Sequence, residues 1–318
     1  MSAISELSHL KVTKAKTPEE KAQRRKEASR DNKAAYLFLI PWFIGLFLIT
    51  IGPMLASLYL SFTRYSLIQA PQWIGIDNYV RMLGDDRLHQ SLKVTFIYVL
   101  VGVPLQLIFA LGIAMLLDKG MRGLPIYRSV FYLPSMLGSS VAIALLWRQM
   151  FGTEGLFNQI LRLFGFDATI GWISDPSYAL WIIILLHVWT FGSPMVIFLA
   201  GLRQIPGMYY EAASVDGATR WTKFTKITLP LLSPIIFFNL VLQLINGFQT
   251  FTQAFVVSGG TGGPADSTLF YSLYLYQRGF GQFQMGYAAA MAWLLVVIVG
   301  ALTAVNFFLS KYWVFYDD

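Results

Sequence analysis

The chain has 318 residues, 56% hydrophobic and 13% charged, with a net charge of +7 and no cysteine. Soluble domains carry about 25% charged residues, so this balance, with a mean hydropathy of +0.55, marks an integral membrane protein. The lack of cysteine excludes disulfides, thiolate metal sites, iron–sulfur clusters and thiol catalysis, and His9, His89 and His187 are too far apart in sequence to form a metal motif.

The first 33 residues are polar and hold nine Lys/Arg and five Asp/Glu without interleaved aromatics. This reads as a solvated basic tail attracted to anionic lipid rather than a nucleic-acid arm. No cleavable signal peptide is expected, and the first helix serves as its own targeting signal. Six stretches then contain no Asp, Glu, Lys or Arg: Ala34–Thr63, Val94–Leu117, Ser129–Trp147, Ala179–Leu202, Leu229–Val257 and Gln284–Ser310. About 20 helical residues cross a bilayer, whereas barrel strands need only about 10 in alternation, so six transmembrane helices are predicted and an outer-membrane barrel is excluded. Residues 34–318 thus read as one all-α membrane domain.

Positive residues favour the cytoplasmic side. With the N terminus inside, 17 of the 24 Lys/Arg fall on cytoplasmic segments and seven outside, which predicts that both termini are cytoplasmic. The outward segments Arg64–Lys93, Arg148–Tyr178 and Ser258–Phe283 carry Trp73, Trp172, Pro176 and a Gly262-Gly-Pro264 turn, consistent with short interfacial helices and tight turns.

An ion-driven carrier keeps ionisable groups at depth despite a cost of about 2.5–3.5 kcal/mol each, and these spans hold none except His187. Energy must therefore come from elsewhere. No phosphate-binding loop exists in the chain to bind ATP, so hydrolysis belongs to another subunit. The longest inward connection, residues 203–230, predicts two short helices outside the bilayer. Pro206 opens the first, Gly217 ends it with a left-handed residue, and Asp216 is placed to cap the next. Met208, Ala212 and Val215 share one face of the first.

In this connection Glu211-Ala212-Ala213, three residues, Gly217, nine residues, Ile227, one residue and Leu229-Pro230 follow one another. The pattern resembles the EAA loop of binding-protein-dependent ABC importer permeases, and Asp216-Gly217-Ala218 is similar to the variant in carbohydrate importers. The resemblance extends over Tyr36–Tyr316 through Leu39-Ile-Pro-Trp42, the segment Arg128–Pro134, the segment Gly155–Asn158 and the segment Ala200–Pro206. It looks like the first permease subunit of a maltose- or glycerol-phosphate-type system, without the extra helices and large external domain of the maltose subunit.

The resemblance implies a type I ABC importer permease fold in a bacterial cytoplasmic (inner) membrane and a coupling helix carrying Glu211 into a cleft of the ATPase. It further implies a second homologous permease, two copies of an ATP-binding subunit and an external solute-binding protein. ATP and Mg are bound by that partner subunit, and this chain binds no cofactor itself.

Along the fifth span, Asn239, Gln243, Asn246, Thr250 and Gln253 recur at spacings of 4, 3, 4 and 3, with Gln249 alongside. An uncharged amide row supplies the donors and acceptors that a sugar needs, and it would equally serve as interhelical hydrogen bonding. In the fourth span, His187, Trp189, Thr190 and Ser193 surround a Gly192-Ser-Pro194 interruption, where unwound backbone is tolerated if it lines a cavity. The resemblance places the sugar at these two spans. An anionic solute such as glycerol phosphate or an acidic saccharide is the alternative, which would favour Lys or Arg near the cavity. A scaffold or intramembrane enzyme lacks an in-span Ser/His/Asp set or paired carboxylates.

Overall fold

The computed structural model describes residues 36–120, 123–166 and 169–315. The basic tail and Arg122 lie outside the described residues. The chain forms two compact units, Met1–Ser57 and Leu58–Asp318. Within the first, the described residues belong to helix α1 (Tyr36–Ser61), with Trp42 edge-on to Phe43 and Phe43 stacked on Phe47.

The second unit is organised around α3 (Asp86–Asp118), a 33-residue helix about 50 Å long at 1.5 Å per residue. Tyr98, Val99, Val103, Ala110 and Ala114 on one side are buried, while Leu100, Ile108 and Leu116 on the other are exposed. A helix apolar all round, half against protein and half outward, suits a membrane span. The two ends of α3 define the two faces of this unit. At one end Asp85 caps α3 by accepting from Leu88 N at 3.1 Å. At the other, Asp118 pairs with Arg203 at 3.7 Å, where the long connection begins.

On the Asp85 side, α1 leads into a hairpin of β1 (Thr63–Ser66) and β2 (Gln69–Trp73), followed by α2 (Asp77–Leu83). The sequence predicts interfacial helices and tight turns here; α2 and the turns at residues 67–68 and 75–76 fit, whereas the strand pairing is not predicted. The strands are too short and irregular to alternate visibly, and the start of β1 is held by Asn78, whose amide donates to Ser61 O at 2.8 Å and Thr63 O at 2.9 Å.

The remaining helices are α4 (Leu124–Leu137), α5 (Val141–Met150), α6 (Leu156–Leu163), α7 (Pro176–Trp189), α8 (Gly192–Leu202), α9 (Gly207–Val215), α10 (Arg220–Phe248), α11 (Thr252–Val257), α12 (Tyr271–Tyr276) and α13 (Met285–Trp313). Helices α1, α3, α10 and α13 are each long and apolar enough to cross a membrane. The pairs α4/α5 and α7/α8 qualify only together, bent by 93° and 41°. Among the described residues this gives four long apolar helices, and six spans where each bent pair is counted as one.

Three spans differ from the sequence reading; in the fourth the break falls at Thr190–Phe191, and Gly192-Ser-Pro194 forms the first turn of α8. The third is not one helix over Ser129–Trp147: α4 begins at Leu124, and the chain turns at Gly138-Ser139-Ser140, where Ser140 restarts the helix by capping Ile143 N at 3.3 Å. The fifth does not continue unbroken to Val257. Helix α10 stops at Phe248, and Phe251 (φ −129°, ψ −56°) leaves helical geometry before α11.

Glycines set how closely the spans cross. A side chain at Gly138 would overlap Thr190, and a Cβ at Gly192 would lie 2.5 Å from Phe131 O. The bent third and fourth spans therefore touch backbone to backbone beside their bends, the use of small residues expected within a bilayer.

Candidate functional site

Three bends meet at one place: Gly138–Ser140 in the third span, Thr190–Phe191 in the fourth and Gln249–Phe251 in the fifth. Each bend frees backbone groups that a bilayer interior cannot hydrate, so side chains must satisfy them. Gln106, buried on α3, donates through Nε2 to His187 O, Thr190 O and Thr190 Oγ1, each at 3.1 Å. Ser135 Oγ donates to Thr190 O at 2.8 Å and accepts from Ser193 N at 2.9 Å, bridging the fourth-span interruption. Gln253 Nε2 donates to Gly138 O at 3.2 Å and so ties α11 to the turn in the third span.

Beside these bonds lies a cavity of about 300 Å³. Of the residues singled out in the sequence, Gln243, Asn246, Gln249, Thr250, Gln253, His187 and Thr190 line it. Sequence reasoning missed Tyr98, Ser135 and Ser139. They come from the second and third spans, where single polar residues form no repeat, and the available signal was the Gly138-Ser-Ser triplet in a charge-free stretch. The break in the fifth span alters how the fifth-span residues meet. Gln243 and Asn246 approach from α10, Gln249 and Thr250 from the break itself, and Gln253 from α11.

Three residues stand apart. Asn239 is fully buried within α10, with Nδ2 donating to Ile235 O at 3.1 Å, a local bond that removes it from the cavity. Trp189 turns the other way, 5.7 Å from the Trp147 ring, and lines a separate apolar cleft with Leu146 and Met150. Ser193 contributes its backbone N–H to Ser135 and is not among the lining residues.

Among the described residues no charged side chain lines the cavity, which is built from hydroxyls, carboxamides, an imidazole and the Phe251 ring. His187 sits against Tyr98, ring centroids 5.1 Å apart, and its Nε2, like Gln106 Oε1, is buried without a hydrogen-bond partner among the described residues. The close fit of His187 depends on Gly102, where a Cβ would lie 3.2 Å from the imidazole Cδ2. Such a wall can donate to and accept from a hydroxyl-rich solute without placing a fixed charge beside it.

At the opposite face, α9 presents Glu211 exposed, with Met208 and Val215 on its apolar face 67% and 89% exposed. Gly217 takes φ +75°, as the sequence predicts, and Ala218 N reaches back to Ala213 O at 2.8 Å. Asp216 does not cap the next helix, however. The left-handed turn carries the chain two residues further, and Thr219 Oγ1 accepts from Thr222 N at 3.2 Å to start α10. Tyr210 OH bonds Thr228 Oγ1 at 3.0 Å, and Lys223 Nζ donates to Ser214 Oγ at 2.6 Å. Helix α9 is thus fastened to the helix that carries Gln243 and Asn246.

A polar cavity at the meeting of broken membrane helices, with a short helix fixed to one of them beyond the bilayer, defines a membrane transport component. Residues 91–312 match the binding-protein-dependent transport system inner membrane component family, and the chain belongs to it. A probable ABC transporter permease, YesP of Bacillus subtilis, is 56% identical, covering 93% of this chain and 96% of the relative. The lactose transport system permease LacF of Rhizobium radiobacter is 33% identical over 87% of this chain and 93% of its own. The fold is similar to that of a bacterial ABC transporter that imports the acidic polysaccharide alginate, with TM-score 0.73, 23% identity, and coverage of 91% of this chain and 98% of that one.

Proposed function

We propose that this permease forms half of the pathway of an ATP-driven carbohydrate importer in the bacterial cytoplasmic membrane, receiving an oligosaccharide or sugar derivative from an external solute-binding protein. The observation that carries the reading is the uncharged cavity formed where three spans break, with donors and acceptors from Tyr98, His187, Gln243, Asn246 and Gln249. Relatives named for lactose, trehalose/maltose and arabinooligosaccharide transport support a sugar as solute.

Coupling follows from the fastening of α9. Closure of a separate ATPase dimer on Glu211 and the exposed Met208–Val215 face would pull α9, and the Tyr210–Thr228 bond would carry that pull into α10 and the cavity wall. Six spans supply one wall of a pathway, so a second homologous permease faces this one and two ATP-binding subunits lie beneath them. Both termini, with the coupling loop, are cytoplasmic.

The test is ATP hydrolysis by the reconstituted complex with its binding protein across a panel of neutral and acidic saccharides. Selective stimulation by some of them is expected. A flat response to every saccharide would overturn the carbohydrate assignment.

A further inference from the structure

A second polar pocket, of about 340 Å³, opens on the Asp85 side of the molecule, between the hairpin, α2 and the segment before α13. It is separated from the coupling loop by the length of α3. Its walls are fixed from three directions. Asn78 bonds the hairpin to α2, Gly286 lets α13 approach so closely that any Cβ there would overlap Thr63 O, and Gln284 N donates to Arg278 O at 2.9 Å.

Three features of this pocket stand out among the described residues. Arg64 and Arg81 line it and neither stands in an ion pair among the described residues, whose four pairs involve Arg87, Arg162, Arg203 and Arg278. Arg81 is held over the Tyr287 ring with Cζ 4.6 Å from its centroid, which fixes its guanidinium plane. Gln284 Oε1 is buried without a hydrogen-bond partner among the described residues. At the rim, Phe283 has φ +54° and is half-exposed, a conformation costly for a bulky residue and characteristic of positions kept for contact. Asp77 also lines the pocket and offsets one of the two positive charges, leaving a net of one.

We infer that this pocket receives an acidic side chain of the docking solute-binding protein. The carboxylate would sit between Arg64 and Arg81, Gln284 Oε1 would accept a backbone N–H of the same segment, and Phe283 would cover the contact. Guanidinium forks match carboxylates in two-point geometry, and an unpaired buried carbonyl is satisfied by an incoming N–H. The inference rests on the proposed import from a binding protein. A relative in fold has been solved with a saccharide-bound periplasmic protein, which supports that kind of partner.

The experiment titrates saccharide-loaded binding protein against ATP hydrolysis by the complete reconstituted complex. It uses the native chain, Arg64→Glu, Arg81→Glu and the conservative Arg81→Lys, with membrane abundance measured for each. The expected result is that each reversal raises the half-stimulating concentration at least about tenfold while the rate at saturation is retained, because charge complementarity acts on encounter and docking. Added salt should weaken the native response more than that of the reversed variants, and Arg81→Lys should fall between. Unchanged half-stimulating concentrations in both reversals, at native abundance, would overturn the inference. So would an unchanged response to binding protein together with lost binding of a free uronate oligosaccharide, which would assign the pocket to solute instead. If the native complex itself is not stimulated by any loaded binding protein, the import reading fails and this inference with it.

Discussion

Gln106 Nε2 reaches His187 O, Thr190 O and Thr190 Oγ1 at the fourth-span break, adding to the donors that Ser135 Oγ and Thr190 Oγ1 already supply to the two carbonyls. A buried solute hydroxyl left without its partner costs about 1–3 kcal/mol. Gln106→Leu is therefore expected to let His187 and Thr190 shift, raising the half-saturating saccharide concentration roughly 5- to 150-fold if one such contact with solute is lost. Uptake curves set beside membrane abundance check this, because a purely structural loss lowers abundance and leaves the half-saturating concentration alone. Gly217 is the residue to test at the other face. Its φ of +75° costs a β-branched residue about 1–3 kcal/mol, so Gly217→Val should deform the turn between α9 and α10 and depress transport while insertion is retained.

The helix α9 acts as an element only if its docking contact can be removed without unfolding the spans. Glu211 is exposed and in no ion pair among the described residues. Glu211→Ala is expected to preserve abundance and abolish uptake, read by comparing transport with co-purification of the ATPase. At the opposite end, Asp85 ties α3 to α12 and α13. It accepts from Tyr274 OH and Tyr287 OH, at 2.7 and 2.8 Å from Oδ2, and from Arg278 at 3.0 Å. Burial pushes its carboxyl pKa up, but the two tyrosine hydrogen bonds, the Leu88 N–H and the Arg278 charge outweigh this, leaving it below the usual 3.8. A lowered folded pKa supplies stability above the unfolded value and loses it as pH falls through the folded one. Thermal unfolding of the native chain should therefore decline with pH below about 4, and Asp85→Asn should be less stable at neutral pH with a flatter acid profile.

The sequence made elements legible where composition is one-sided. Charge-free runs gave the spans, and Glu211 through Pro230 gave the inward loop, with Gly217 in the conformation expected. It did not reveal bends made by tertiary contact. Gly138-Ser139-Ser140 and Gln249–Phe251 lie in apolar stretches that satisfy a helical pattern, and their breaks depend on Ser140 capping and on partners such as Gln253 from another span. Likewise the spacing that groups Asn239 with Asn246 cannot show that Asn239 bonds its own helix, nor that Trp189 faces away from His187. The hairpin at Thr63–Trp73 escaped because its strands are short and irregular in register, and β1 is held by Asn78, 15 residues beyond Thr63.

At the scale of the whole molecule, the fold arranges two functional faces about 50 Å apart along α3, with the bent spans between them. The cavity lies where the backbone is least regular, while the long uninterrupted helices give the frame against which those bends can move. We propose that the solute passes the wall formed by the three breaks. The direct measurement is the concentration dependence of labelled saccharide uptake for Asn246→Leu and Asn239→Leu in the reconstituted complex. Asn246→Leu should raise the half-saturating concentration about 5- to 150-fold at native abundance, the cost of leaving one buried hydroxyl unpaired, while Asn239→Leu should leave it unchanged. An unaltered curve for Asn246→Leu alongside a shifted one for Asn239→Leu would contradict the account and place the solute elsewhere.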